Sequence, residues 1–170
     1  MRRRGAVLLG LGLAACAGAP RVAPAPAPAP APAEAPAPLG VLVAATAREA
    51  MGRPYRYGGT GAEGDGFDCS GLIQSSYARH GVALPRTSRE QARAGTSVAK
   101  RLDALRAGDL LTFSSQPHGD TVAHVGLYVG DGRFIHSSSS RGVMESGLSE
   151  RDPSGAWWWP RWVGVRRVVP

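Results

Sequence analysis

Three side chains of this sequence combine into one chemistry: Cys69, in the run Phe67-Asp68-Cys69-Ser70-Gly71, and the imidazoles of His124 and His136. A cysteine that opens a helix, a histidine to take its proton and a further polar group to orient that histidine are the parts of an activated thiol nucleophile. A thiol near pKa ~8.5 is mostly protonated at neutral pH, and a helix N-terminus or a neighbouring imidazolium lowers it to ~3.5–7.5. Taken singly, each residue has a plainer use, the cysteine as a small buried hydrophobe and a strand histidine as a hydrogen-bonded structural group. The three are also ordinary zinc ligands, although no short-spaced ligand pair accompanies them. The setting of Cys69 among Asp68, Ser70 and Gly71, rather than in an apolar run, favours the nucleophile, with no metal or cofactor required. His80 and His118 fall at a helix end and in a polar loop and read as surface residues.

These residues need elements to bring them together. Leu42, Val43, Ala47 and Ala50 recur at helical spacing and predict a helix over Leu39 to Met51, stopped by Gly52 and Pro54. A glycine-rich loop runs from Gly58 to Gly66. Asp68 then serves as the N-cap of a helix carrying Leu72, Ile73 and Tyr77 on one face and ending at Gly81. Ser88 and Gln91 predict a capping box for a short helix that ends near Gly95. From there the period changes to two. Asp109 to Phe113, Ala123 to Val129, Arg133 to Ser137 and Val163 to Val169 read as strands, with Gly130-Asp131-Gly132 as a hairpin turn. Helices followed by an antiparallel sheet define an α+β fold.

Hairpin parity tests whether the two histidines can meet. If the loop is the three residues Gly130 to Gly132, Val129 faces Arg133, partner numbers sum to 262, and His136 lies opposite Gly126. His124 shares a face with Gly126, so both imidazoles project from one face as diagonal neighbours ~7–8 Å apart. A two-residue loop separates them onto opposite faces unless a bulge restores the register.

The N-terminal 38 residues have a different character. Arg2, Arg3 and Arg4 precede an apolar run, Ala6 to Ala15, which is too short for a bilayer span of ~20 residues and reads as an export signal over 1–15. Leu13-Ala14-Ala15-Cys16 resembles the lipobox of bacterial lipoproteins, which implies that Cys16 becomes a lipidated N-terminus anchored to membrane by its acyl chains. Ala17, where an aspartate would signal retention, implies by the same resemblance the periplasmic side of the outer membrane. A plain secretory signal is the alternative. Residues 16–38 then form an Ala/Pro tether, semi-rigid polyproline II able to reach roughly 60–70 Å at ~3.1 Å per residue.

Residues 39–170 are the size of one domain with a single core. The chain carries 20 basic and 13 acidic residues, and removal of the three N-terminal arginines leaves an excess of +4, which favours an anionic polymer such as the cell envelope. No basic run is interleaved with aromatics, so nucleic acid is not an expected partner, and a monomer is expected. With Cys16 lipidated, Cys69 has no disulfide partner, and an unpaired thiol in an oxidising compartment usually has a function.

Several further blocks complete a family pattern: Gly52-Arg53-Pro54-Tyr55-Arg56-Tyr57-Gly58-Gly59, Leu84-Pro85-Arg86-Thr87-Ser88 with Gln91, Leu105-Arg106-Ala107-Gly108-Asp109-Leu110, His124-Val125-Gly126-Leu127-Tyr128-Val129-Gly130 and Phe134-Ile135-His136-Ser137-Ser138. With the cysteine block, they make the region from Ala44 to Val168 resemble the NlpC-type cell-wall cysteine peptidases, and within them the lipoprotein murein endopeptidases. The resemblance implies a papain-like α+β fold, hydrolysis of peptidoglycan stem peptides or cross-links, Cys69 as nucleophile, His124 as base and His136 as the orienting residue. It also implies that Tyr55 caps the active site beside the sulfur, with Tyr57 as the alternative. Asp68 and Ser70 match positions that hold the amine of a free stem peptide in some members, or else shape the helix start. Arg86 and Ser88 line the groove, Arg86 pairing with a substrate carboxylate, while Ser88 has a second reading as a helix cap. The four tryptophans, Trp157, Trp158, Trp159 and Trp162, form a groove wall or bury against the sheet. Acyl transfer on lipids or amides, and a non-catalytic wall-binding module, are the alternative functions.

Overall fold

The computed structural model describes residues 37–170. The expected signal peptide, Cys16 and all of the tether except Ala37 and Pro38 lie outside the described residues. Helix α1 (Leu39–Glu49) buries Val43, Ala44 and Ala47 and stops at Ala50, whereas Leu42, expected on the same stripe, is 40% exposed. Helix α2 (Cys69–Ala78) starts where Asp68 accepts the Gly71 amide at 2.7 Å, and it buries Leu72, Ile73 and Tyr77. The Tyr77 hydroxyl donates to the Gly108 carbonyl, fastening this helix to the loop that leads into the sheet.

Helix α3 (Ser88–Gln91) corrects the expected cap by one residue. Thr87 is the N-cap and Glu90 its partner: the Glu90 amide donates to Thr87 Oγ1 at 3.3 Å and the Glu90 carboxylate accepts the Thr87 amide at 3.2 Å. Gln91 is fully buried instead, its Nε2 donating to the carbonyls of Ser70 and Pro85, each at 2.9 Å.

Six strands follow: β1 (Thr96–Val98), β2 (Leu110–Ser114), β3 (Val122–Gly130), β4 (Arg133–Ser138), β5 (Gly142–Gly147) and β6 (Trp162–Arg167), with a short helix α4 (Gly155–Trp158) before the last. They form one antiparallel sheet in the order β1-β6-β2-β3-β4-β5. Strands β1 and β5, at the two edges, are absent from the sequence reading. Alternation along the strands divides the core. Leu110, Val125, Leu127, Val129 and Ile135 pack with the stripes of α1 and α2, whereas Leu111, Phe113, Tyr128 and Phe134 face a second cluster with Trp162 and Val165. Arg167 Nε and Nη2 grip the buried Asp109 carboxylate at 2.8 and 2.7 Å, tying the last strand to the start of β2.

The hairpin between β3 and β4 differs from the expected one. Gly130 pairs with Arg133, so the turn is the two residues Asp131 and Gly132, both at positive φ (52° and 68°) as a tight turn of this twist requires. A bulge between Tyr128 and Gly130 then restores the even register, for Tyr128 faces Phe134 and Leu127 faces Ile135, each pair summing to 262.

Candidate active site

The shared face brings His124 and His136 into contact. Their rings meet edge to face at a centroid distance of 5.0 Å, with His124 Nε2 3.1 Å from His136 Nδ1. His136 Nε2 lies 3.1 Å from Ser146 Oγ on β5. The assignment that satisfies this chain has His136 donating from Nε2 to Ser146 and accepting at Nδ1 from His124 Nε2–H. His124 Nδ1 is left as the unprotonated nitrogen. Ser146, 2% exposed, escaped the sequence reading because β5 did.

Trp158 covers the dyad. Its ring stacks on His124 at 5.1 Å and meets His136 edge to face at 4.8 Å, while Phe113 and Phe134 close the sheet side. This apolar casing disfavours the imidazolium form. Burial pushes His124 down to about 4, and burial with the charge of His124 pushes His136 down to about 3. Both rings are thus neutral at pH 7. Because the unfolded chain binds these protons near pH 6.5, acidification favours unfolding: the stabilising contribution is complete above pH 6.5 and is lost as the pH falls towards 4 and then 3. The urea midpoint is expected to decline between pH 6.5 and 4.5, above the carboxylate range, and His136→Gln should flatten that decline. A midpoint unchanged from pH 7 to 5 would contradict the assignment.

Cys69 is the first residue of α2 and is partly exposed. Close packing sets its position. Gly71 lies so near the Gly59 carbonyl that a Cβ would overlap it, and Ser137 Oγ donates to the Phe67 carbonyl at 2.7 Å, pinning the chain two residues before the cysteine. Burial raises the thiol, and the Asp68 charge adds to it, against the lowering effect of the Val125, Ser70 and Cys69 amides directed at the sulfur. The expected imidazolium partner is therefore replaced by a neutral thiol facing a neutral imidazole, so the proton has to move during the reaction.

Two cavities meet at Cys69, sharing Tyr55 and Ala123 with it. One, about 410 Å³, adds His124, His136, Ser137 to Ser140, Trp157 and Trp158. The other, about 390 Å³, adds Tyr57, Asp68, Ser70, Arg86 and Ser88. Ala123 is the extra residue of a bulge, since Phe113 pairs with His124 but Ser114 with Val122, and bulges of this kind re-aim side chains beside sites. All eight site residues expected within 39–170 thus line one continuous cleft, and Cys16 lies outside the described residues. Tyr55 is the tyrosine beside the sulfur: burial, then Cys69 and Asp68, push its hydroxyl upward, keeping it a neutral donor. Tyr57 is 89% exposed.

Arg86 lines the cleft, but its guanidinium, expected to clamp a substrate carboxylate, is already engaged within the protein. Its Nη2 and Nη1 donate to the two oxygens of Asp68 at 2.6 and 3.0 Å, and Nη1 also donates to Ser70 Oγ at 2.9 Å. Asp68 further accepts the amides of Gly71 and Gly58, at 2.7 and 2.9 Å. Burial would raise this carboxyl, but the Arg86 fork and the two amides outweigh it and hold it below its usual value. Of the two roles open to Asp68, shaping the helix start is the one its contacts serve. Ser88 lines the cleft without being the cap. The tryptophans divide between both expected uses: Trp157 and Trp158 wall the cleft and Trp162 is buried under the sheet. Among the described residues no three His, Cys, Asp or Glu side chains are grouped to hold a metal ion.

Helices on one antiparallel sheet, with a helix-opening cysteine sharing a cleft with an imidazole pair, constitute a papain-like α+β arrangement. Residues 52–167 match the NlpC/P60 family, and the chain belongs to it. It is 39% identical over 116 residues to Murein DD-endopeptidase MepS/Murein LD-carboxypeptidase of Escherichia coli strain K12, covering 68% of this chain and 55% of that protein. It is 38% identical over 126 residues to the bifunctional muramidase/DL-endopeptidase CwlT of Bacillus subtilis, covering 74% of this chain and 36% of that one. The crystal structure of an NlpC/P60 family protein from Bacillus cereus superposes with a TM-score of 0.68 at 36% identity, covering 79% of this chain and 42% of that one. The chain spans about a third to a half of these proteins.

Proposed function

We propose that this protein is a peptidoglycan endopeptidase, a cysteine peptidase that hydrolyses peptide bonds in stem peptides or their cross-links. The observation that carries this reading is the cleft in which Cys69 meets the chain His124–His136–Ser146, on a domain related to wall endopeptidases. His124 Nδ1 accepts the thiol proton as Cys69 Sγ attacks the scissile carbonyl carbon. The imidazolium formed is held by its Nε2–H bond to His136, and His136 keeps its orientation through Ser146. The backbone amide of Cys69, at the N-terminus of α2, supplies a donor for the oxyanion. The C–N bond then breaks, the amine leaves with the proton from His124, and water hydrolyses the thioester by the reverse proton path.

The Arg86–Asp68 pair supports intact wall peptides as substrate, because the one carboxylate beside the sulfur is already occupied by a cation of the protein. The lipobox at Cys16 and the Ala/Pro tether support the lipoprotein subgroup and an outer-membrane anchor with the domain reaching into the periplasm. Digestion of purified peptidoglycan followed by mass spectrometry of the muropeptides is expected to show new peptide termini, whose masses identify the bond cut. A Cys16→Ser chain should give the same products from solution rather than from the membrane fraction. Intact muropeptides after digestion would remove the endopeptidase reading.

A further inference from the structure

A further cavity, about 710 Å³, lies beside the catalytic cleft and is not used by the mechanism. It is lined by Lys100, His118, Asp120, Glu150, Trp159 and Trp162. The two indoles lie 5.5 Å apart at 52°, and Lys100, whose Nζ donates to the Trp162 carbonyl at 2.9 Å, sits over the Trp162 ring. Asp120 and Glu150 have no cationic partner among the described residues. The loop carrying His118 and Asp120 is fastened to the turn bearing Trp159, since the His118 amide donates to the Pro160 carbonyl at 2.6 Å. His118 is held there at a φ of 58°, a conformation that costs a non-glycine residue free energy and persists only where the surroundings impose it.

The geometry points to this cavity as a saccharide subsite that holds the glycan strand of the wall while the stem peptide enters the catalytic cleft. The claim rests on the endopeptidase reading for its direction but not for its chemistry. The half-buried Trp159 ring, backed by the buried Trp162, takes the C–H face of a pyranose ring, the Asp120 and Glu150 carboxylates accept its hydroxyls in charge-assisted hydrogen bonds, and Lys100 and His118 can donate to an N-acetyl carbonyl. A purely apolar ligand would leave both carboxylates desolvated, and a nucleic acid would be repelled by them. The spacing also fits. Asp120 is four residues from His124, at most ~14 Å along an extended chain, and Trp159 is two residues beyond Trp157 of the catalytic cleft. A stem peptide spans ~3.5 Å per residue, so a sugar three units from the scissile bond falls roughly 10 Å from the sulfur.

The test titrates the full chain with peptide-free glycan strands stripped by an amidase, followed by calorimetry and by saturation-transfer NMR. Saturable binding is expected, weakened at least tenfold by Trp159→Ala and, as a variant that leaves the packing intact, by Asp120→Asn combined with Glu150→Gln. Both variants should cleave a glycan-free stem peptide at the wild-type rate while losing at least tenfold in kcat/KM on whole wall. No saturable binding by the wild type, variants that bind as it does, or equal losses on peptide and wall would each overturn the subsite. A wild-type chain that binds glycan but cleaves no peptide would refute the endopeptidase reading and leave this one standing.

Discussion

Cys69→Ala is expected to reduce peptidoglycan hydrolysis by ~10⁴-fold or more while leaving the fold intact, because the thiol supplies the covalent step and Cys69 is the one thiol among the described residues. His124→Ala should lose a similar factor, and the double variant little more than either alone, since sulfur and imidazole act as one unit. The structure predicts one asymmetry. Thiol and imidazole are both held neutral by burial, so neither is a pre-charged group whose loss relieves strain, and Cys69→Ala, which gives up the sulfur's packing against the core, should melt at or slightly below the wild-type temperature. The assay is muropeptide release by purified variants, with and without a chelator. More than about 1% residual activity in Cys69→Ala would exclude the thiol mechanism, and loss of wild-type activity in EDTA would reinstate the zinc reading.

How much of this site the sequence discloses depends on whether the deciding interaction is local. Asp68 caps the helix that Cys69 opens because the cap bond spans three residues, and that is readable from the run itself. The imidazole pair was readable through parity, although by a different turn. A two-residue turn plus a bulge gives the same even register as the three-residue loop the parity argument assumed, and one bulge in a strand leaves no mark in the residue pattern. The capping box shifted by one because Thr87-x-x-Glu90 and Ser88-x-x-Gln91 both fit the pattern, and the carbonyls of Ser70 and Pro85, which accept from Gln91 Nε2, decide which residue faces inward. Strand β5, Gly-Val-Met-Glu-Ser-Gly, has glycine at both ends and no clean alternation, so its membership of the sheet comes from pairing with β4. Ser146 was lost with it. Arg86 likewise finds Asp68 across 18 residues, and no local rule states that contact.

That long-range pair carries the second large effect. Asp68 is 8% exposed and accepts from Arg86 twice, from the amides of Gly71 and Gly58 and from Ser70 Oγ at 3.3 Å. Asp68→Ala removes the helix cap, strands two amides and leaves the guanidinium without its counter-charge. Breaking a buried pair costs ~3–5 kcal/mol, and the lower end applies because about a third of the Arg86 side chain (35%) remains in water, which screens the orphaned charge. A loss of about 3 kcal/mol should lower the melting temperature of a domain this size by roughly 10 °C. Activity should fall by ~10²-fold even below the melt, because the first turn of α2 sets where the sulfur sits and a displacement of ~1 Å is enough for that loss. Adding Arg86→Met to Asp68→Ala removes the uncompensated charge, so it should recover part of the stability. It supplies neither the cap nor the two amide contacts, so the sulfur stays displaced and the catalytic loss remains. Recovery of both would mean that the Arg86 charge alone did the damage; an Asp68→Ala melt within 2 °C of wild type would mean that solvent, not Arg86, satisfies the carboxylate.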